Sequence, residues 1–269
     1  METILFVRGN GSLENLMLFI TNLGSENAYI VLLALYSWLV SAKLGRQLGI
    51  WFGLNFALNS GLKMLFNTPR PFMSAPGLAS VKAMATAGGG AMPSGHAQNA
   101  AFISGFLSDK HPKTWLIAIL VVLTLLIAVS RVYLGVHFAQ DVLIGLGIGL
   151  VISVVASRLE IPVLQWSAKM IAVALGLAIA FFAGTDIARS LGVAVAFLIS
   201  SGDFDVPKTW VARVLVAVIG LALVFGVYFA TSLIPDGVRQ LSWVAYLRYL
   251  ILALFAVEGF PRLTSRFVL

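Results

Sequence analysis

Long apolar runs constrain the fold of this chain more than any other feature of its sequence. Nine of them approach the roughly 20 residues that a helix needs to cross about 30 Å of hydrocarbon. They cover residues 28–42, 46–66, 94–109, 114–132, 138–157, 168–184, 187–201, 210–234 and 241–258. Because 59% of the 269 residues are hydrophobic and only 11% are charged, a water-soluble surface is excluded. The sequence therefore predicts an all-α fold, a polytopic helical bundle that forms a single membrane domain over residues 1–269.

The segments outside these runs carry weaker signals. Residues 12–24 alternate apolar and polar positions at helical spacing, which predicts an interfacial helix. The glycine-rich stretch Phe72–Met92 is longer than a helix hairpin needs and is a candidate lid or lip over a site. The chain opens without the pattern of a removable signal peptide, and the absence of cysteine excludes disulfides and thiol chemistry. The net charge of +7 suits anionic lipid headgroups as partners rather than nucleic acid.

The basic residues are unevenly divided between the two membrane sides that nine crossings define. Ten of the 18 fall on one side: Lys43, Arg46, Lys110, Lys113, Arg158, Lys169, Lys208, Arg213, Arg262 and Arg266. The others are Arg8, Lys63, Arg70, Lys82, Arg131, Arg189, Arg239 and Arg248. Because basic residues concentrate on the cytoplasmic side, the first group marks that side. We therefore expect a plasma (inner) membrane protein whose second side, which carries His137, faces the periplasm or the extracellular space.

The stretch Ser130–Asp141 places ionisable side chains between two apolar runs, where charge is costly. His137 and Asp141 are four residues apart, so on a helix they share a face and the carboxylate can fix the imidazole tautomer. Such a pair prepares a nucleophilic or basic histidine. Gly135 interrupts the run and lets Arg131 turn toward the same side. Alternatively, His137 is a buried histidine satisfied by its neighbour and Arg131 reaches the headgroups.

A second pair of cations lies at the end of the second apolar run. Lys63 falls in the last turns of that run, and Pro71 forces Arg70 into an extended conformation. The two cations then converge at one end of the bundle, on the same side as His137. The alternative for this pair is the ordinary basic fringe of a membrane helix.

The glycine-rich run Gly88–Gly90 leads through Ser94 and Gly95 into a helix of small residues. Such a run exposes backbone N–H groups and a hydroxyl at the positive end of the helix, which forms an anion cradle. His96 lies beside this cradle. In isolation, Ser94 is equally an N-cap residue and His96 a polar residue near the membrane interface.

Together these clusters place three cations, an anion cradle and two histidines on one membrane face. Cations and N–H groups hold phosphate oxygens, and a histidine oriented by a carboxylate can attack phosphorus. The sequence contains no carboxylate cluster of the kind that binds a divalent cation. We therefore predict a phosphoryl-transfer site that uses neither a metal nor another cofactor.

The order and spacing of these residues are similar to the three-part signature of the type 2 phosphatidic acid phosphatase superfamily. The matching positions are Lys63, Arg70 and Pro71, then Pro93, Ser94, Gly95 and His96, and finally Ser130, Arg131, His137 and Asp141. The resemblance implies a six-span phosphatase core over residues 28–184. It leaves about three additional transmembrane helices in residues 187–269, a nine-span layout that resembles the glucose-6-phosphatase and sphingosine-phosphate phosphatase branches.

The resemblance also implies a role for each residue. His137 is the nucleophile that forms a phosphohistidine, Asp141 orients it, and His96 serves as general acid and then general base. The phosphate-binding residues are Lys63, Arg70, Ser94, Gly95 and Arg131. The family is magnesium-independent, so no metal or cofactor is expected.

A catalytic site at headgroup depth between lipid-facing helices selects amphiphiles, so we predict a membrane phosphatase that acts on lipid phosphates at the outer leaflet. Phosphatidic acid, phosphatidylglycerophosphate, isoprenyl pyrophosphate and sphingosine phosphate all carry a terminal phosphate that fits. Two alternatives are a phosphatase of soluble phosphomonoesters, as in the glucose-6-phosphatase branch, and a transporter without catalytic activity on the same scaffold.

Overall fold

A computed structural model describes residues 2–8 and 12–268, and every regular element within them is helical, which confirms the predicted all-α fold. The helices are α1 (Glu2–Arg8), α2 (Glu14–Asn22), α3 (Glu26–Leu39), α4 (Ala42–Phe66), α5 (Pro71–Ser74), α6 (Val81–Ala85), α7 (Gly95–Lys110), α8 (Thr114–Tyr133), α9 (Ala139–Arg158), α10 (Trp166–Phe182), α11 (Thr185–Ile199), α12 (Trp210–Ser232), α13 (Asp236–Arg239), α14 (Ser242–Leu254) and α15 (Phe260–Val268). A π turn, Phe255–Gly259, joins α14 to α15.

Each predicted span coincides with one of these helices, namely α3, α4, α7 to α12 and α14. In the part of the chain that the structure describes, four helices are long and apolar enough to cross a membrane: Thr114–Tyr133, Ala139–Arg158, Trp210–Ser232 and Ser242–Thr264. Helices α2 and α3 meet the same criteria as a pair, bent by 42°. The chain is therefore an integral membrane protein with several spans. The number nine and the interfacial position of α2 stay predictions.

Two compact units make up the chain. The first contains Met1–Tyr29 and Leu58–Leu159, and the second contains Ile30–Ala57 and Glu160–Leu269. These bounds differ from the predicted division into 28–184 and 187–269, since Ile30–Ala57 and α10 both lie in the second unit. That functional division stays a prediction.

Close packing between α7 and α9 organises the first unit. A Cβ atom on Gly145 would lie 2.6 Å from the carbonyl oxygen of Ser94, and one on Gly149 would lie 2.2 Å from that of Gln98. Neither distance is possible for a real side chain, so both glycines are needed where the helices touch. A Cβ on Gly147, which lies between them in sequence, would meet nothing within 4 Å. The glycines thus fix the start of α7, which carries His96, against the middle of α9.

The second unit is held in part by a buried cation. Arg46 donates hydrogen bonds to four backbone carbonyl groups, those of Ile161, Pro162, Leu198 and Ser200. Carbonyl groups at helix ends lack intrahelical donors, and a guanidinium satisfies several of them at once. Arg46 therefore has a structural role in the second unit. Gly192 has one as well, because a Cβ on Gly192 would lie 2.5 Å from the carbonyl oxygen of Tyr246.

Candidate active site

The residues predicted to form the site all lie in the first unit, at or next to the ends of four helices. Lys63 lies in the last turn of α4, and Arg131 lies in the last turn of α8. Ser94 is the N-cap of α7, and His137 occupies the turn between α8 and α9. The apolar helices bring these segments together although they are far apart in the sequence.

The turn before α9 depends on glycine, as the sequence predicted. Gly135 has φ +70°, and a Cβ on it would lie 2.9 Å from the carbonyl oxygen of Leu78. Beyond this turn, the N–H groups of Val136 and His137 each lie 3.3 Å from the carbonyl oxygen of Arg131. The turn therefore places the imidazole next to the end of α8.

The expectation that His137 and Asp141 share one face of a helix is wrong. Helix α9 begins at Ala139 with Phe138 as its N-cap, so His137 precedes the helix and Asp141 is its third residue. The Asp141 carboxylate caps the helix by accepting the Phe138 N–H at 2.8 Å. The same oxygen lies 3.6 Å from Nδ1 of His137, slightly longer than a hydrogen bond. The pairing thus arises from a helix start rather than from helical periodicity.

The contacts of the two imidazole nitrogens assign the tautomer of His137. Its Nε2 lies 3.2 Å from Nη1 of Arg70. Because a guanidinium donates only, Nε2 must be the acceptor, and the ring proton is on Nδ1, which faces Asp141. The lone pair of the neutral ring is therefore on Nε2, the nitrogen that points away from the carboxylate.

The surroundings of His137 also keep the ring neutral. Its side chain is 2% exposed. Burial, followed by the positive charges of Arg131 and Arg70, holds the pKa of His137 well below its usual range. The imidazole is therefore uncharged at neutral pH, as a nucleophile requires.

Arg70 uses all five of its N–H donors within the protein. It is extended, as Pro71 predicted, with φ −86° and ψ 155°. Its acceptors are the carbonyl oxygens of Gly88, Gly89, Gly90 and Val136, and Nε2 of His137. Burial lowers the pKa of Arg70 to about 10, which leaves it charged at neutral pH. Arg70 therefore holds the glycine-rich loop against the histidine in this arrangement.

The glycine-rich loop is thus tied directly to the cations. The carbonyl oxygen of Gly90 accepts from Nζ of Lys63 at 2.5 Å and from Nη2 of Arg70 at 3.2 Å. Gly89 has φ +63°, and a Cβ on Gly90 would lie 3.0 Å from the carbonyl oxygen of Lys63. Two adjacent cations therefore meet at one oxygen acceptor, which is the charge pattern that a phosphate oxygen needs. Whether the stretch 72–92 acts as a lid stays a prediction.

Arg131 differs from Arg70 because part of its guanidinium has no partner. Its Nη1 donates to Oγ1 of Thr21 at 2.6 Å and to Oγ1 of Thr86 at 2.9 Å, and its Nη2 donates to the carbonyl oxygen of Thr86 at 3.1 Å. Its Nε is buried and lacks a hydrogen-bond partner among the described residues. An unsatisfied buried donor is costly, so this edge of Arg131 is ready for an anionic ligand.

The start of α7 supplies the second group of donors. Ser94 is the N-cap, but its side chain makes no capping bond, and its Oγ is buried without a partner in the described chain. The N–H of Ser94 is not available as expected, because it donates to the carbonyl oxygen of Asp141 at 2.9 Å. The cradle amides are therefore those of Gly95, His96 and Ala97, the first residues of α7, which have no intrahelical acceptor. Ser94 thus occupies the N-cap position without the side-chain hydrogen bond that a capping serine forms.

His96 is the second residue of α7 and lies within electrostatic range of His137. The turn between α2 and α3 packs against its ring, since a Cβ on Gly24 would lie 3.2 Å from Cδ2 of His96. His96 thus lies at the same site as His137 but comes from a different segment, the start of α7.

Three residues near the site were not identified from the sequence. Thr21 and Thr86 hold Arg131, as described above. Asn59 donates to Oε1 of Gln98 at 2.8 Å and to the carbonyl oxygen of Pro93 at 3.3 Å, which braces the turn before Ser94. A usable signal existed only for Asn59, an amide inside an apolar helix one turn before Lys63.

Helices of this length and polarity, with cations and two histidines at one end, define an integral-membrane protein with a cationic, histidine-centred site. The PAP2 superfamily model matches residues 44–161, the range that contains all predicted site residues. A second model, PAP2 superfamily phosphatase, transmembrane extension, matches residues 187–269. The chain therefore belongs to the PAP2 superfamily. It is a phosphatase, a phosphoric monoester hydrolase.

Two solved structures are similar to this chain. Aquifex aeolicus LpxE is similar with 25% sequence identity and a TM-score of 0.51, over 59% of this chain and 94% of that chain. The first transmembrane PAP2 type phosphatidylglycerolphosphate phosphatase from Bacillus subtilis shows 27% identity and a TM-score of 0.48, over 58% of this chain and 79% of that chain. No curated protein matches the sequence significantly.

Proposed function

We propose that this protein removes the terminal phosphate of a lipid phosphate through a phosphohistidine intermediate on His137. The observation that carries the proposal is the line of contacts from Arg70 through the imidazole to Asp141. Arg70 lies 3.2 Å from Nε2, and the carboxylate lies 3.6 Å from Nδ1. This line supports a neutral nucleophile with its lone pair on the side of the cations.

In the first half-reaction, Nε2 of His137 attacks phosphorus in line with the leaving oxygen. A nitrogen–phosphorus bond forms while the ester oxygen–phosphorus bond breaks, and His96 protonates the leaving alkoxide. The ring of His137 then carries a positive charge, which Asp141 stabilises. Before attack, the Arg70 hydrogen that lies on Nε2 has to turn to a phosphate oxygen.

In the second half-reaction, water attacks the phosphohistidine. His96, now neutral, takes a proton from the water, the nitrogen–phosphorus bond breaks, and inorganic phosphate leaves. His137 returns to its neutral form with the proton still on Nδ1. The two histidines thus alternate as required, with no other proton carrier.

We further propose that the reaction needs no metal or other cofactor. Lys63, Arg70 and Arg131, with the Ser94 hydroxyl and the amide of Gly95, supply the positive charge and donors for the equatorial oxygens. Within the described residues, no three His, Asp or Glu side chains come together as a cation site. Full activity in the presence of EDTA is the expected result.

The surface beside the site favours an amphiphilic substrate. Met64 and Leu65 are 62% and 75% exposed next to Lys63, and Leu143 is 66% exposed close to Asp141. Apolar side chains at the exposed rim suit the acyl or prenyl chains of a lipid whose phosphate reaches the cations. This rim supports a lipid phosphate over a soluble phosphomonoester.

One assay separates the candidate substrates. The purified protein in detergent is given a lipid phosphate, such as phosphatidic acid, and a sugar phosphate at equal concentration, and phosphate release is measured. A kcat/KM at least about 100-fold higher for the lipid supports the proposal, a difference of roughly 3 kcal/mol. A preference for the sugar phosphate would point to a hydrolase of soluble phosphomonoesters. Release of no phosphate from either substrate would favour the transporter.

We also propose that the site faces the periplasm or extracellular space, because the nine predicted crossings put ten of the 18 basic residues on the opposite side. A cysteine introduced at Lys82 should react with an impermeant thiol reagent outside intact cells, and one at Lys110 should not. The chain has no native cysteine to obscure the result. The reverse pattern would place the site on the cytoplasmic side.

A further inference from the structure

The segment from α2 to the start of α3 lies before both family matches, yet it is part of the wall of the site. Helix α2 is attached to the end of α8 by the N–H of Leu13, which donates to Oη of Tyr133 at 2.9 Å. Ile20 packs against Ile127 of α8 in a buried apolar cluster. This attachment brings the last residues of α2 to the predicted phosphate-binding residues.

Thr21 decides which edge of Arg131 remains available. Thr21 is fully buried, and its hydroxyl accepts one hydrogen of Nη1 at 2.6 Å. Thr86 accepts from Nη1 and Nη2 with its hydroxyl and carbonyl oxygens, which occupies the end of the guanidinium. Three of five donors are thus used. The remaining two, on Nε and Nη2, form the side edge that binds two oxygens of one phosphate.

Gly24 affects the position of His96, the predicted general acid. It lies in the turn after α2, and a Cβ there would be 3.0 Å from Cγ2 of Ile127 and 3.2 Å from Cδ2 of His96. Such distances are tight, so a methyl group at this position pushes the imidazole or the isoleucine aside. The position of the His96 ring therefore depends on the absence of a side chain at residue 24.

We infer that the turn at Thr21 and Gly24 is a positioning element of the phosphatase site. Thr21 holds Arg131 so that its side edge receives the phosphate, and Gly24 sets the position of the general acid. Neither residue touches the reacting atoms. This inference rests on the proposed function, because it assigns the two residues to different steps of that reaction.

The first test replaces the Thr21 hydroxyl with a methyl group of similar size. Thr21→Val should lower kcat/KM for alkyl and aryl phosphates by the same factor, about tenfold, and weaken vanadate inhibition by a similar factor. Thr21→Ser keeps the hydroxyl and should restore both values. Thr124→Val is the matched control, since it removes another buried hydroxyl of the first unit, whose partner is Ser104 at 2.7 Å.

A double variant separates the role of Thr21 as a positioning residue from a general structural role, because it combines the substitution of Thr21 with one of Arg131. In an Arg131→Lys background, Thr21→Val should cause little further loss, because the edge that Thr21 presents is already gone. Should Thr21→Val fail to fold, Thr21→Ala removes the hydroxyl without crowding. Vanadate inhibition equal to wild type in the folded variant would overturn this part of the inference.

The second test uses Gly24→Ala and the leaving group. An alkoxide needs a proton from His96 whereas an aryl oxide leaves without one, so a displaced general acid impairs the alkyl phosphate more. In single-turnover experiments, Gly24→Ala should lower phosphoenzyme formation from an alkyl phosphate at least about fivefold more than from an aryl phosphate. Equal effects on both substrates would overturn the role of Gly24. An inactive wild-type protein would instead contradict the proposed function.

Discussion

Nη1 of Arg70 lies 3.2 Å from Nε2 of His137, so the cation contacts the lone pair that is expected to attack phosphorus. The same guanidinium holds the carbonyl groups of Gly88, Gly89 and Gly90. Arg70 therefore couples the glycine-rich loop to the nucleophile, whereas Arg131 keeps one edge without a partner. The two arginines, which the sequence treats as equivalent phosphate ligands, have different surroundings.

This difference predicts different consequences for Arg70→Lys and Arg131→Lys. Both keep the charge and lose the planar donor set, so kcat/KM should fall roughly 10- to 100-fold in each. Only Arg70→Lys should also speed amide hydrogen exchange in residues 88–90, because it releases their carbonyl groups. Near-full activity of Arg131→Lys would contradict the phosphate clamp, and unchanged exchange in Arg70→Lys would contradict the loop contact.

Asp141→Asn tests the tautomer of His137. One carboxylate oxygen both accepts the Phe138 N–H and faces Nδ1, so an amide oxygen in its place keeps the cap of α9 but carries no negative charge to hold the proton on Nδ1 and to stabilise the His137 cation. We expect an unchanged thermal unfolding temperature and a kcat lower by about three orders of magnitude or more. A loss below about tenfold would show that Asp141 serves mainly as a helix cap.

The close packing of α7 and α9 predicts unequal effects of two neighbouring glycines. Gly149→Ala places a methyl group 2.2 Å from the carbonyl oxygen of Gln98, whereas Gly147→Ala meets nothing within 4 Å. The first should destabilise the protein by about 1–3 kcal/mol and reduce activity. The second should match wild type in thermal unfolding and in kcat. Equal behaviour of the two variants would contradict the packing.

The environment of His137 also predicts a pH dependence. Burial holds the pKa of His137 well below its usual range, and nearby cations, Lys63 among them, lower it further. Attack needs the neutral ring, so the acidic decline of kcat/KM should lie well below about pH 6.5. Removing a cation raises the pKa, so Lys63→Met should move this acidic decline to higher pH.

The matched control is Lys82→Met, which removes an exposed charge from α6. Both variants are measured with one aryl phosphate, so that ionisation of the substrate affects them equally. The acidic decline should stay in place for Lys82→Met. If it also stays in place for Lys63→Met, the charge of Lys63 does not act on His137.

The sequence predicted the helices and the turns at Pro71 and Gly135 well, because both depend on local patterns. The length of the apolar runs predicts the helices. Pro71 and Gly135 predict the backbone turns that direct Arg70 and His137 toward the site. What it could not predict were contacts between distant segments. The hydrogen bond from Arg131 to Thr21 joins residues 110 positions apart, and no pattern within α2 indicates this contact.

The error over His137 and Asp141 has a physical cause. A spacing of four residues fits a helix face, but it also fits a residue just before a helix and an acidic side chain in its first turn. The left-handed φ of Gly135 and the capping bond to Phe138 favour the second arrangement. Both arrangements bring the carboxylate near the imidazole, so the functional prediction was unaffected by the wrong geometry.

The covalent intermediate is the central claim, and acid-quenched phosphoenzyme labelling tests it most directly. The protein is mixed with a substrate labelled on its terminal phosphate, and label on the denatured protein is counted. His96→Ala should accumulate label from an aryl phosphate, because the leaving group needs no acid while water attack lacks its base. His137→Ala should carry none. Label that persists in His137→Ala would contradict the assignment of the nucleophile.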